Sequence, residues 1–158
     1  MAMKLDIKIP TNDRVEEAFN LAQMADEFEV AISFPEDTAE RDKGEINNPT
    51  LAAILEHGSP ANNLPARPFV EPGLETGRDR LAKIMELGLQ RTLDGDSDGI
   101  AWALETAGVE GVSLVQRKMV EGPFAPNAPS TIKRKGSSKP LIDTGQLRQS
   151  VSYVVRAK

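Results

Sequence analysis

Two stretches of the chain alternate apolar and polar residues with a period of two. Lys4 to Ile9 sets Leu5, Ile7 and Ile9 on one face, and Glu27 to Phe34 does the same with Phe28, Val30 and Ile32. Each is the pattern of a half-buried β-strand, and Pro10 and Pro35 end them, because proline removes a ladder donor. Between them the period changes. Val15, Ala18, Phe19, Ala22 and Ala25 recur at helical spacing after the capping residues Thr11-Asn12-Asp13, which predicts a helix over about 12–25 with Glu16 and Glu17 on its polar face.

Residues 36–50 carry almost no apolar side chain and read as a long polar loop, of the kind that serves as a binding loop or arm. A short helix over Leu51–His57 then turns Leu51, Ile54 and Leu55 inward, and Gly58 closes it where a left-handed residue costs nothing. Leu64-Pro65-Ala66-Arg67-Pro68-Phe69 is extended, since a residue preceding proline is pushed out of the helical region. From Pro72, the stripe Leu74, Leu81, Ile84, Met85, Leu89 and Leu93 predicts one long helix. A second begins near Asp98 with Ile100, Leu104, Ala107, Val112, Val115 and Met119, and Gly108 and Gly111 weaken its middle enough to predict a kink.

Residues 121–140 form a connector rich in Pro, Ser, Gly and Lys, with one brief helical stretch at Ser130–Arg134. Asp143-Thr144-Gly145-Gln146-Leu147 opens a capped turn, and Ser150 to Val155 alternates Val151, Tyr153 and Val155 as a closing strand. No internal repeat is visible. Strands near both ends with helices between them define an α+β fold, in which two long helices and several short ones pack on one face of a small antiparallel sheet.

Length and composition narrow this picture. The 158 residues suit one domain, residues 1–158, around a core that is mainly aliphatic because only seven residues are aromatic. The absence of cysteine removes disulfides, thiolate metal sites and cysteine nucleophiles, and a single histidine, His57, removes multi-histidine metal sites and most histidine-based mechanisms. Apolar runs are only a few residues long, and MAMKLDIKIP is charged at every second or third position, so neither a transmembrane helix nor a secretory signal is expected.

The net charge of −5 is unevenly spread. Residues 1–110 hold 10 basic and 22 acidic groups, whereas residues 111–158 hold 9 and 2. The halves can neutralise each other within one fold, meet head to tail between copies, or present a basic arm to nucleic acid; the last lacks the interleaved aromatics that single-strand binding favours.

Asp94-Gly95-Asp96-Ser97-Asp98-Gly99 with Glu105 matches the calcium-loop pattern D-x-[DN]-x-[DN]-G-x5-E, whose oxygens can wrap a hard cation. A polar turn between antiparallel helices accounts for the same residues, and Glu105 falls inside a helical stripe. No metal is therefore assigned; a small calcium-binding or regulatory domain stands as the alternative function. His57 sits in the last turn of its helix, where a cation suits the exposed carbonyls, and no nucleophile motif or Gly-rich phosphate loop accompanies it. Pro65-Ala66-Arg67-Pro68 has P-x-x-P spacing but reads better as a corner anchored by Phe69.

Two segments are familiar. LAAILEHGSPANNLPARPFVEPGLE at 51–75 and PNAPSTIKRKGSSKPLIDTGQLRQSVSYVV at 126–155 resemble the neck or tail-completion proteins of tailed bacteriophages, also called minor tail or virion morphogenesis proteins. The likeness lies in a short helix ending in glutamate, histidine and glycine, then P-A-R-P-F and a long helix, and in S-T-I, a basic run and P-L-I-D-T-G-x-L before a closing strand. Its anchors are Gly58, Pro65, Arg67, Pro68, Phe69, Leu141, Asp143 and Gly145. Asn62-Asn63 and the acidic loop depart from the pattern.

The resemblance implies a non-enzymatic virion protein without cofactor, assembled in the host cytoplasm as a ring, hexameric in the family, that joins the head connector to the tail or completes the tail end. Its partners would be other copies of itself, head-connector proteins and tail-terminator or tail-tube proteins, with DNA close by in the channel and no membrane. Glu36, Asp37, Arg41, Asp42 and Lys43 in the acidic loop and Lys133, Arg134 and Lys135 in the basic run are the expected contact residues.

Overall fold

A computed structural model describes residues 13–35 and 46–158. The strand expected at 4–9, its capping residues Thr11 and Asn12, and the contact residues Glu36, Asp37, Arg41, Asp42 and Lys43 lie outside the described residues. The elements are α1 (Asp13–Asp26), β1 (Phe28–Ser33), α2 (Asn48–His57), a 3-10 turn (Pro60–Asn62), α3 (Val70–Glu75), α4 (Arg78–Leu93), α5 (Gly99–Glu121), α6 (Pro129–Lys135), α7 (Gln146–Gln149) and β2 (Ser152–Ala157). The fold is α+β: β1 and β2 pair antiparallel from Phe28 opposite Ala157 to Ser33 opposite Ser152, and α5 packs against both strands and against α3, α4 and α7. Among the described residues no helix is long and apolar enough to cross a membrane.

Helix α5 supplies the centre of the core. Its Val115 and Met119 meet Ala52 of α2, Phe69, Leu141, Leu147 of α7 and Val151, and Phe69 is 0% exposed. Phe34 stands edge-on to Phe69, with ring centroids 6.1 Å apart. Burying such side chains contributes roughly 1.5–3 kcal/mol each relative to leaving them exposed.

Local structure departs from the sequence reading in four places. Helix α2 begins three residues inside the expected loop, because the Asn47 side chain accepts from Thr50 N at 2.9 Å and Pro49 suits the first turn. The single helix expected from Pro72 is two, broken at Thr76-Gly77: Thr76 Oγ1 donates to Gly73 O at 2.6 Å, and Gly77 lies against the Leu114 side chain where a Cβ would overlap it. Helix α5 runs uninterrupted through Gly108 and Gly111, whose missing side chains leave room for the Tyr153 ring and for Ile32 and Leu74. The closing strand starts at Ser152 rather than Ser150, since the turn of α7 continues to Ser150, whose Oγ donates to Leu147 O at 2.8 Å.

Candidate functional site

The two familiar segments lie far apart in sequence and fold around one cavity of about 500 Å³. One wall comes from α2 (Leu51, Leu55) and the extended stretch Asn63-Leu64-Pro65 with Arg67; the other comes from Pro126-Asn127-Ala128, α6 (Thr131, Arg134, Lys135), Pro140-Leu141 and Asp143 through Leu147. Local sequence explains how the walls are held. Gly58 closes α2 at φ +76, where its N–H donates to Ile54 O at 2.8 Å. The chain then returns antiparallel through Ser59 and Leu64, and the prolines at 65 and 68 keep Arg67 extended while its N–H donates to Leu55 O at 2.8 Å. Glu56 accepts from the N–H groups of Phe69 (2.8 Å) and Val70 (3.2 Å), so the α2 carboxylate anchors the start of α3.

Arg67 is 3% exposed. Its Nε donates to Ala125 O at 2.8 Å and its Nη2 to Pro126 O at 3.0 Å, a bidentate clamp on the connector. Asn127, also buried, donates to Lys139 O at 3.2 Å and Ser138 O at 3.4 Å, and Lys135 Nζ donates to Lys139 O at 3.1 Å and Pro140 O at 3.3 Å. Three side chains thus satisfy the carbonyls at both ends of a polar connector that has no ladder of its own.

These clamps concentrate positive charge. Burial pushes the Lys135 ammonium below its ordinary value; Asp143 opposes that shift, while Arg67 and Arg134 add to it. Burial likewise lowers the Arg67 guanidinium. No ion pair within 4 Å among the described residues involves Arg67, Lys133, Arg134 or Lys135; the pairs that form join other residues, such as Arg156 with Glu29 and Lys158 with Asp26.

The expected site residues divide accordingly. Pro65, Arg67, Arg134, Lys135, Leu141, Asp143 and Gly145 come together at the cavity, while Phe69 is buried in the adjoining core. Lys133 and Arg134 are exposed on α6, but Lys135, expected beside them as a contact residue, is half-buried and turned to the connector. The sequence reading missed Asn127 and the clamping role of Arg67; the only local sign was an arginine fixed between two prolines, and its partners lie 58 and 59 residues away.

The acidic stretch does not gather. Asp94 accepts from Gln90 Nε2 (3.1 Å), Asp96 accepts from Asp98 N (3.0 Å) and Arg91 (2.7 Å), and Glu105, inside α5, accepts from Tyr153 OH at 2.6 Å. The Asp98 N–H and then Arg91 hold the Asp96 carboxyl below its usual range. Arg91 also stacks 4.5 Å over the Trp102 ring. Among the described residues no three His, Asp or Glu side chains converge as a metal ion would require. His57 stands exposed at the end of α2.

Fold and site define an α+β protein with a helical hairpin, a two-stranded sheet and a cationic cavity clamped by Arg67. A 46-residue stretch of the chain is 42% identical to an uncharacterized protein of the archaeon Methanocaldococcus jannaschii, covering 29% of this chain and about a third, 34%, of that protein's length. No protein-family model matches the chain, and no solved structure matches it.

Proposed function

We propose that the chain is a structural protein of the neck or tail end of a tailed phage, acting in the virion as a ring of identical copies between head-connector and tail components. The reading rests on the resemblance of 51–75 and 126–155 to that family. The observation that supports it is that these two segments fold as one unit, with Arg67 of the first clamping the carbonyls of Ala125 and Pro126 at the threshold of the second. A surface suited to subunit contacts supports it further: Val15, Phe19 and Met24 on α1 are exposed, Phe19 by 63%. A heterologous contact that closes on itself gives a cyclic ring, and the axial symmetry of a portal and tail requires one.

The test is stoichiometry. Mass photometry of the concentrated protein, and electron microscopy of particles made with it, are expected to show a closed ring, hexameric if the family number holds. A protein that stays monomeric and is missing from particles produced by its own phage has no neck role.

A further inference from the structure

The cavity holds a buried guanidinium that makes no ion pair within 4 Å among the described residues, which is an expensive arrangement for a protein interior. The Arg67 Nε and Nη2 are used on backbone carbonyls, and Nη1 has no partner among the described residues. Asn48 Oδ1 is the only side-chain oxygen or nitrogen among them that is both sealed and unpaired, so Nη1 keeps an opening, and the cavity that Arg67 lines provides it. Arg134 and Lys135 approach from α6, Asp143 offsets part of their charge, and Leu51, Leu55 and Leu141 form the apolar wall. We propose that this cavity binds a carboxylate carried on a short aliphatic body, with the carboxylate on the free edge of Arg67 beside Arg134 and Lys135 and the aliphatic part on the leucines. One free guanidinium edge suits a planar monoanion, and charge-assisted contacts of this kind are stronger than neutral ones. Asp143 and the leucines disfavour a dianion, whose second charge would be desolvated without a partner. The site stands whether or not the neck reading holds.

Titrations of the full chain with hexanoate, hexanamide and inorganic phosphate, followed by amide NMR shifts, test it. Hexanoate is expected to shift Thr131, Gly145 and Leu147 saturably, and hexanamide to bind at least roughly tenfold more weakly. The double variant R134Q/K135Q is expected to lose about tenfold in hexanoate affinity. Arg134→Gln alone, at an exposed side chain with no hydrogen bond among the described residues, keeps the test open if the double variant fails to fold. Equal binding of hexanoate and hexanamide, tighter binding of phosphate, or no shift at these residues overturns the proposal. If hexanoate binds and disperses self-assembled protein, the natural carboxylate belongs to a second copy. If it binds and leaves the assembly intact, the natural ligand is a free acid.

Discussion

At the scale of single residues, Tyr153 and Arg67 show how one side chain serves distant parts of the chain. Tyr153 lays its ring on the bare backbone of Gly108 and donates its hydroxyl to Glu105 at 2.6 Å. That hydrogen bond, with some burial and the Glu105 charge, raises the phenol above its ordinary value. A raised value in the folded state means that Tyr153 supports stability below the unfolded value of about 10 and that this support is lost as pH rises through the folded value. It is the only tyrosine, so ultraviolet absorbance reads it alone: its ionisation is expected above that of a free tyrosine, and Glu105→Gln is expected to bring it down. An unchanged midpoint in the variant would rule out Glu105 as the cause. For Arg67, replacement by alanine leaves the carbonyls of Ala125 and Pro126 without donors inside the protein. A loss of about 2–3 kcal/mol in urea denaturation is expected, since a buried orphaned polar group costs about 1–3 kcal/mol. A loss below about half a kcal/mol would mean that water replaces the clamp.

At the scale of elements, close contact between α4 and α5 depends on residues without side chains. Gly88 faces Gly99 and Ala103, and a Cβ on Gly88 would overlap the Ala103 Cβ and lie 2.8 Å from Gly99 O. Gly88→Val is therefore expected to destabilise by about 1–3 kcal/mol, the usual cost of overpacking, or more if the hairpin must open. Ala82→Val, at an exposed position of the same helix, is expected to cost about half a kcal/mol from propensity alone. Equal effects would show that the crossing yields without strain. The turn that joins these helices shows why a motif match can mislead. Asp94, Asp96 and Glu105 have the sequence spacing of a calcium loop, but α5 starts at Gly99 and carries Glu105 up its side to Tyr153, away from the turn. Spacing alone does not fix direction once regular helix intervenes.

At the scale of the molecule, the opposing charges along the sequence are partly spent inside the fold. Arg156 of β2 pairs with Glu29 of β1, and Lys158, just past β2, pairs with Asp26 at the end of α1. These exposed pairs contribute little, about 0–1 kcal/mol each. Lys133 and Arg134 remain exposed on α6 without an ion pair among the described residues, so they are the part of the basic half open to a neighbour. If they make a contact between copies, Lys133→Ala with Arg134→Ala is expected to slow assembly while leaving the melting temperature unchanged, and raising salt from about 0.1 M to 1 M is expected to weaken the wild-type assembly. Assembly insensitive to both, followed by light scattering, would place the contact on apolar surface such as Phe19. Lys135 is left out of this pair because it holds Lys139 and Pro140, so its loss would mix folding with assembly.

What the sequence determined by itself is what short-range physics controls. The alternation over 27–34 and 150–155 and the helical stripes from Val15 onward reappear as β1, β2, α1, α4 and α5, because side-chain period and backbone geometry are linked within a few residues. Proline and glycine placed the extended arm at 64–69 and the end of α2 for the same local reason. Tertiary structure decided whatever depends on contacts across long separations. Gly108 and Gly111 look like helix breakers in sequence, yet α5 stays whole because Tyr153, Ile32 and Leu74 fill the space beside them. The helix predicted from Pro72 breaks because Gly77 must pass the Leu114 side chain, which local propensity cannot register. The cavity arises in the same way: Arg67 becomes a clamp and Lys135 turns inward only when the chain brings carbonyls from residues 125, 126, 139 and 140 to them, and buried carbonyls need donors wherever the fold places them.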